Sequence, residues 1–354
     1  MCPRRVRRNG PAAAVVMVIA AAALAATASA GPRYSSRIVE IETGAIRGII
    51  LELNSRHLEP VEVFRGVPYA AAPVGPQRFR PPAAPISWPG TRLADTFGAV
   101  CPQRVPDISN RTLALLHMPK GRYHHLKKLI PLLLNQSEDC LFLNIYVPGS
   151  GNRGLEAPYA VLVFIHGESF EWGSGNPYDG SVLASYGHVI VVTLNFRLGL
   201  LGFLRTRPVG AYKVDTGGDP PSGGNLGMKD IAAGLGWIKR NIGAFGGDPT
   251  RVTLMGHDTG AALANLLFVS PSSKGLFRRV VLLSGTALSP WATTHNPDAL
   301  RLSVGQQTGC LPMPGFTAST SNAPPTATGG SGDDQRKKSP PQDDVDIAPC
   351  LRSR

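Results

Sequence analysis

Arg251-Val252-Thr253-Leu254-Met255-Gly256-His257-Asp258-Thr259-Gly260 runs directly into Ala261-Ala262-Leu263-Ala264-Asn265-Leu266-Leu267. An apolar, β-branched run predicts a strand, two glycines bound a turn, and a helix then opens on small residues. The turn is cramped. A Cβ at Gly256 or Gly260 would collide with a neighbouring strand or helix, so only glycine fits there. The residue this turn lifts above the end of the strand is Asp258.

A strand, a G-x-D-x-G turn and a helix resemble the nucleophile elbow of α/β-hydrolases, in which the central residue is most often serine. Two readings compete for the aspartate. In soluble epoxide hydrolases and haloalkane dehalogenases, whose elbow G-H-D-x-G resembles, the carboxylate is itself the nucleophile. It forms an ester that a histidine-activated water then hydrolyses. In the other reading, an esterase-like elbow has lost its serine and keeps only the fold.

The chain has 354 residues, 43% hydrophobic and 17% charged, with 40 glycines and 32 prolines. That balance suits one large α/β domain with many turns and excludes a disordered or coiled-coil chain. Arg4, Arg5, Arg7 and Arg8 precede an apolar run from Pro11 to Ala26 and then Ala28-Ser29-Ala30. This pattern predicts a secretory signal peptide over residues 1–30, with a retained signal anchor as the alternative. Cleavage removes four arginines and no acids from a formal charge of +12, leaving +8. The basic surplus lacks any nucleic-acid motif and is read as solvated surface, with no nucleic-acid partner. Beyond Cys2, four cysteines remain, and an even set in a secreted chain predicts two disulfides. Asn110-Arg111-Thr112 and Asn135-Gln136-Ser137 are N-glycosylation acceptors.

Along the chain, Ile38 to Leu53 reads as a strand pair turning at Gly44. Lys120 to Lys128 contains His124-His125 but no Cys or carboxylate at ligand spacing. It is read as a solvated loop, and no metal or cofactor is expected. Tyr159 to His166 and His188 to Asn195 are apolar without alternation, as strands buried on both faces of a parallel sheet must be. Ile231, Leu235 and Ile238 share one face of a helix running to Asn241, and Arg279 to Gly285 supplies the next strand. From about Pro312 to Pro341 the composition turns to Pro, Thr, Ser, Gly and Asp, a low-complexity insert with too few apolar residues to pack.

Several blocks, in order, resemble the type-B carboxylesterases and cholinesterases. They are Phe64-Arg65-Gly66-Val67-Pro68-Tyr69-Ala70, Pro73 to Phe79, Ser137 to Tyr146, Asn195 to Gly199, Gly224 to Asp230 and Phe245 to Pro249. The resemblance implies an α/β-hydrolase fold for residues 31–354. It also implies disulfides Cys101–Cys140 and Cys310–Cys350, and structural rather than catalytic roles for Asp230 and Asp248.

Active members carry H-G-G-G-F where this chain has His166-Gly167-Glu168-Ser169-Phe170. Glu168 and Ser169 thus replace oxyanion-hole glycines, and Thr259 follows the elbow residue. A carboxylate at 168 would repel an oxyanion about 4 Å away by about 4 kcal/mol at an effective dielectric of about 20, against roughly 3–4 kcal/mol for one donor. The family's catalytic acid and histidine lie downstream of the C-L-R cysteine, Cys350. The fold is accordingly expected to be the N-terminal part of the domain, with catalysis absent.

Some members lack the nucleophile and act in adhesion. His166 to Gly180 together with Gly256 to Asn265 most resembles neuroligins of the arthropod type. This implies a postsynaptic, cell-surface protein that binds a neurexin-like presynaptic receptor and forms a homodimer in its full-length form. The alternative function is a hydrolase of the carboxylesterase or epoxide-hydrolase type using Asp258.

Overall fold

The computed structural model describes residues 32–150, 158–208, 223–312 and 345–354. The expected signal peptide, and the low-complexity insert from residue 313 on, lie outside the described residues. The architecture below belongs to Tyr34–Arg354.

A seven-stranded mixed sheet forms the centre, with the strand order β10-β9-β7-β8-β6-β4-β3. Strands β3 (Ile49–Leu51), β4 (Val61–Pro68) and β6 (Phe142–Pro148) join by antiparallel pairing, which continues from β6 to β8 (Val189–Leu194). Strands β8, β7 (Tyr159–Ile165), β9 (Gly247–His257) and β10 (Arg279–Leu283) then pair in parallel. Parallel neighbours need crossovers, and helices supply them. Helix α3 (Ser181–Gly187) links β7 to β8, α4 (Gly199–Phe203) and α5 (Leu226–Asn241) link β8 to β9, and α6 (Thr259–Val269) links β9 to β10. Val161, Val163, Ile165, Ile190, Val192, Leu194, Val252 and Leu254 are all buried in one cluster. The unbroken apolar runs of β7 and β8 follow from burial on both sheet faces.

A small second sheet, β1 (Val39–Ile41), β2 (Gly44–Arg47) and β5 (Thr91–Leu93), differs from the strand pair expected over Ile38–Leu53. The turn is Glu42-Thr43, and Gly44 already pairs with Ile41 as the first residue of β2. At Gly48 the chain leaves this sheet and enters the large one as β3. A Cβ at Gly48 would stand 2.6 Å from the Val63 carbonyl oxygen, so the crossing of the two sheets requires glycine.

Asp230, on α5, is fully buried and receives Arg197 through both ends of its guanidinium, Nε at 2.8 Å and Nη2 at 2.7 Å, and through the Arg197 amide at 3.1 Å. Burial pushes the Asp230 carboxyl up, and the bonds from Arg197 pull it back. Asp248 makes a turn, accepting from the Thr250 amide and hydroxyl and from Arg251 Nε. Both aspartates are structural. Disulfides join Cys101 to Cys140 and Cys310 to Cys350, with Cα–Cα separations of 4.9 and 5.7 Å.

Lys120 to Lys128 departs from the sequence reading. Arg111–His117 is helix α1, and Lys120–Leu129 is helix α2 where a solvated loop was expected. Tyr123, Leu126 and Leu129 recur every third residue and are buried, which is what makes the segment helical. His124 and His125 face solvent on its other side. No group of three His, Cys, Asp or Glu residues that could hold a metal occurs among the described residues.

Candidate functional site

Strand β9 ends at His257, and Asp258 turns the chain with φ 55° and ψ −122° before α6 begins at Thr259. A left-handed non-glycine residue stores strain of order 1–3 kcal/mol and persists only where its surroundings over-determine it. Here the surroundings do so. The Asp258 amide donates to the Leu283 carbonyl at 2.9 Å, and the Asp258 carbonyl accepts from the Ala261 amide at 3.0 Å. A Cβ at Gly256 would stand 2.2 Å from the Gly260 carbonyl oxygen, and one at Gly260 would stand 2.3 Å from that of Ile165. The two glycines are therefore fixed by close backbone approach on both sides of the elbow, and Ala261, Ala262 and Ala264 let α6 lie against the sheet.

The loop after β7 packs on this elbow. Glu168, Ser169 and Phe170 all adopt positive φ, 81°, 61° and 59°. The side chains at these three positions have thus not prevented the left-handed backbone. The amides of Glu168 and Ser169 point at one atom, Asp258 Oδ2, at 2.9 and 3.4 Å. The Phe170 amide reaches the Thr259 hydroxyl at 3.4 Å, and the Phe170 carbonyl accepts from the Gly199 amide at 2.8 Å. The elbow's own carboxylate occupies both donors.

The Glu168 carboxylate points elsewhere. It accepts both terminal nitrogens of Arg122, Nη1 to Oε1 at 3.1 Å and Nη2 to Oε2. The Arg122 guanidinium also lies over the Trp172 ring, 5.5 Å from its centroid. The hydrogen bond to Glu168 raises the arginine, burial works against it, and the negative charges of Glu168 and Asp258 add to the rise. Tyr178, packed on Phe164 with ring centroids 4.6 Å apart, is pushed up to about 12 by burial and by the neighbouring Glu168. The geometry therefore changes the expected cause of closure: Arg122 neutralises the charge at 168, and Asp258 fills the space. Sequence reasoning missed Arg122. The helical spacing of Tyr123, Leu126 and Leu129 was a usable signal for its helix, but nothing in the sequence paired it with a residue 46 positions away.

Two histidines stand at the ends of the strands beside the elbow, His257 as the last residue of β9 and His166 directly after β7. His257 is exposed. His166 is buried, stacked on Phe196 with centroids 4.4 Å apart, and burial lowers it to about 4. Its Nε2 has no hydrogen-bond partner.

Beside the elbow lies a cleft of about 500 Å³, walled by Phe170, Phe203, Met228, Leu263, Leu266 and Trp291. Phe170 contacts Phe203 edge-on at 5.2 Å. Gly285 packs between the elbow and one wall of the cleft: a Cβ there would be 2.2 Å from the Asp258 carbonyl oxygen and 3.1 Å from Trp291. Asn110 caps α1, its side chain accepting from the Leu113 amide at 3.2 Å, and Asn135 is exposed.

Comparison with known proteins agrees with this architecture. The carboxylesterase family model matches residues 35–326. Mouse Neuroligin-2 is 41% identical over 290 residues, covering 77% of this chain and 33% of the relative. Mouse Neuroligin-3 is 40% identical over 292 residues, covering 77% and 34%. Neuroligin-1 of Caenorhabditis elegans is 38% identical over 284 residues, covering 79% and 34%. The chain spans about a third of the length of these curated relatives. With its elbow, its parallel strands and this match, the chain belongs to the carboxylesterase family.

Proposed function

We propose that this chain is the N-terminal part of a non-catalytic, cholinesterase-like adhesion protein of the neuroligin type. In its full-length form the protein stands at the postsynaptic cell surface, dimerises, and binds a neurexin-like presynaptic receptor. The observation that carries this reading is the Asp258 carboxylate seated on the Glu168 and Ser169 amides. An oxyanion hole that is to receive an ester's carbonyl oxygen must have vacant donors. At this elbow one carboxylate oxygen is committed to those donors, with Glu168, Ser169 and Thr259 standing where the family's working hole would be. The similarity to three neuroligins supports the adhesion side of the reading. The same reading has residues 1–30 removed on secretion and N-glycans on Asn110 and Asn135, both exposed.

The test is calcium-dependent binding of a soluble neurexin ectodomain to cells displaying the full-length protein. Saturable binding abolished by a calcium chelator is the expected result. Surface display without any binding would overturn the assignment of partner.

A further inference from the structure

Four leucines in the loop closed by Cys101–Cys140 stand in solvent, between 41% and 73% exposed. Leu113 and Leu116 lie on α1, and Leu132 and Leu134 follow α2. Leucines left bare in pairs promote association unless something covers them. The chain's two N-glycosylation acceptors lie beside these two pairs. Asn110 precedes Leu113 by three residues, a spacing that makes side chains neighbours along one side of a helix, and Leu116 follows at the same spacing. At a rise of about 1.5 Å per residue, Leu116 lies about 9 Å from Asn110 along the axis. Asn135 directly follows Leu134 and is fixed there: its carbonyl accepts from the Val100 amide, and the Ser137 amide donates to the Val100 carbonyl, both at 2.9 Å. The Asn110 side chain is held as well. Its Oδ1 accepts from the Leu113 amide at 3.2 Å, which keeps the amide group against the first turn of α1. Transfer from a lipid-linked glycosyl pyrophosphate bonds the sugar's anomeric carbon to Nδ2, which loses a proton as the pyrophosphate leaves. Oδ1 keeps its acceptor role, so the first sugar starts beside Leu113 with the cap intact.

We propose that the N-glycans on Asn110 and Asn135 fold back on the chain and cover these leucines, so that the loop's apolar surface is shielded by its own sugars. The C–H faces of the sugar rings supply the apolar contact that water does not. This rests on the reading that both acceptors carry glycans. Neurexin binding has no part in it and is measured separately.

The experiment is hydroxyl-radical footprinting, read by mass spectrometry, of the full chain secreted from glycosylating cells, before and after enzymatic removal of its N-glycans in the folded state. Labelling of Leu113, Leu116, Leu132 and Leu134 is expected to rise several-fold on removal. Val182 and Tyr186, exposed on α3 where it packs on β4, β6 and β8, are expected to stay level. Equal leucine labelling with and without glycans would overturn the proposal, and so would peptide masses showing both acceptors bare. Protection by a second copy of the chain would fade on dilution with the glycans in place, which would also overturn it. Thr112→Ala removes the Asn110 acceptor and leaves the cap, and is expected to raise labelling at Leu113 and Leu116 alone. A rise at Leu132 and Leu134 in that variant would show a loosened loop instead of a lost cover and count against the proposal.

Discussion

Asp230 and Asp258 each fasten a loop at the carboxyl ends of the parallel strands, and they do it with opposite means. Asp230 is fully buried and is held by an arginine from the loop after β8 through three hydrogen bonds. Asp258 is partly exposed and is held by backbone amides from the loop after β7. Losing the first carboxylate strands a guanidinium in the core. Losing the second leaves two amides that water or a dissolved ion can reach. One aspartate is part of the scaffold, and the other fills a site that the scaffold still builds.

The sharpest way to break this contrast is Asp230→Ala. An uncompensated buried arginine costs about 3–5 kcal/mol, so urea unfolding of this variant is expected to begin far earlier than that of the natural chain. Asp258→Ala is expected to lose only about 1–2 kcal/mol, because the two amides it frees lie at a partly exposed site that water can reach, while alanine keeps the strained backbone. Equal losses would erase the distinction between scaffold and occupant.

His166 sharpens the comparison from the neighbouring strand end. Its folded-state value is about 4, below the ordinary 6.5. The unfolded chain therefore takes up a proton that the folded one refuses. The stabilisation is complete above pH 6.5 and is lost as pH falls toward 4, on the order of 3 kcal/mol in all. Stability measured across this window is expected to fall in the natural chain, and to fall less in His166→Gln. Parallel curves would place the acid sensitivity elsewhere.

Arg122→Met is expected to have the smallest effect. The Arg122 side chain is 38% exposed, so its ion pair with Glu168 is screened by solvent and contributes at most about 1 kcal/mol. Because Asp258 rather than Arg122 holds the amides, the resonances of Glu168 and Ser169 should stay close to their natural positions. A large shift there would make Arg122 the organiser of the loop.

The elbow was legible because its parts are local: a β-branched strand, two glycines and a run of alanines lie within seventeen residues. The buried strands β7 and β8 and helix α5 were legible for the same reason, each from its own apolar period. What the sequence concealed is long-range. The loop at 168–170 closes on a residue 89 or 90 positions away, and the partner of Glu168 arrives from a helix whose charged and histidine-rich surface masked its buried spacing. The sheet switch at Gly48 was hidden because no proline or turn cluster interrupts the chain between Gly44 and Leu51. Only the approach of Val63 and Phe64 shows why the chain changes sheets there.

The most direct test of the closed elbow is turnover of a small ester and a small epoxide by the full-length ectodomain beside its Asp258→Ala variant. The account predicts no hydrolysis of either substrate above the variant's background. Hydrolysis by the natural protein that the substitution abolishes would make Asp258 a working nucleophile and contradict the account.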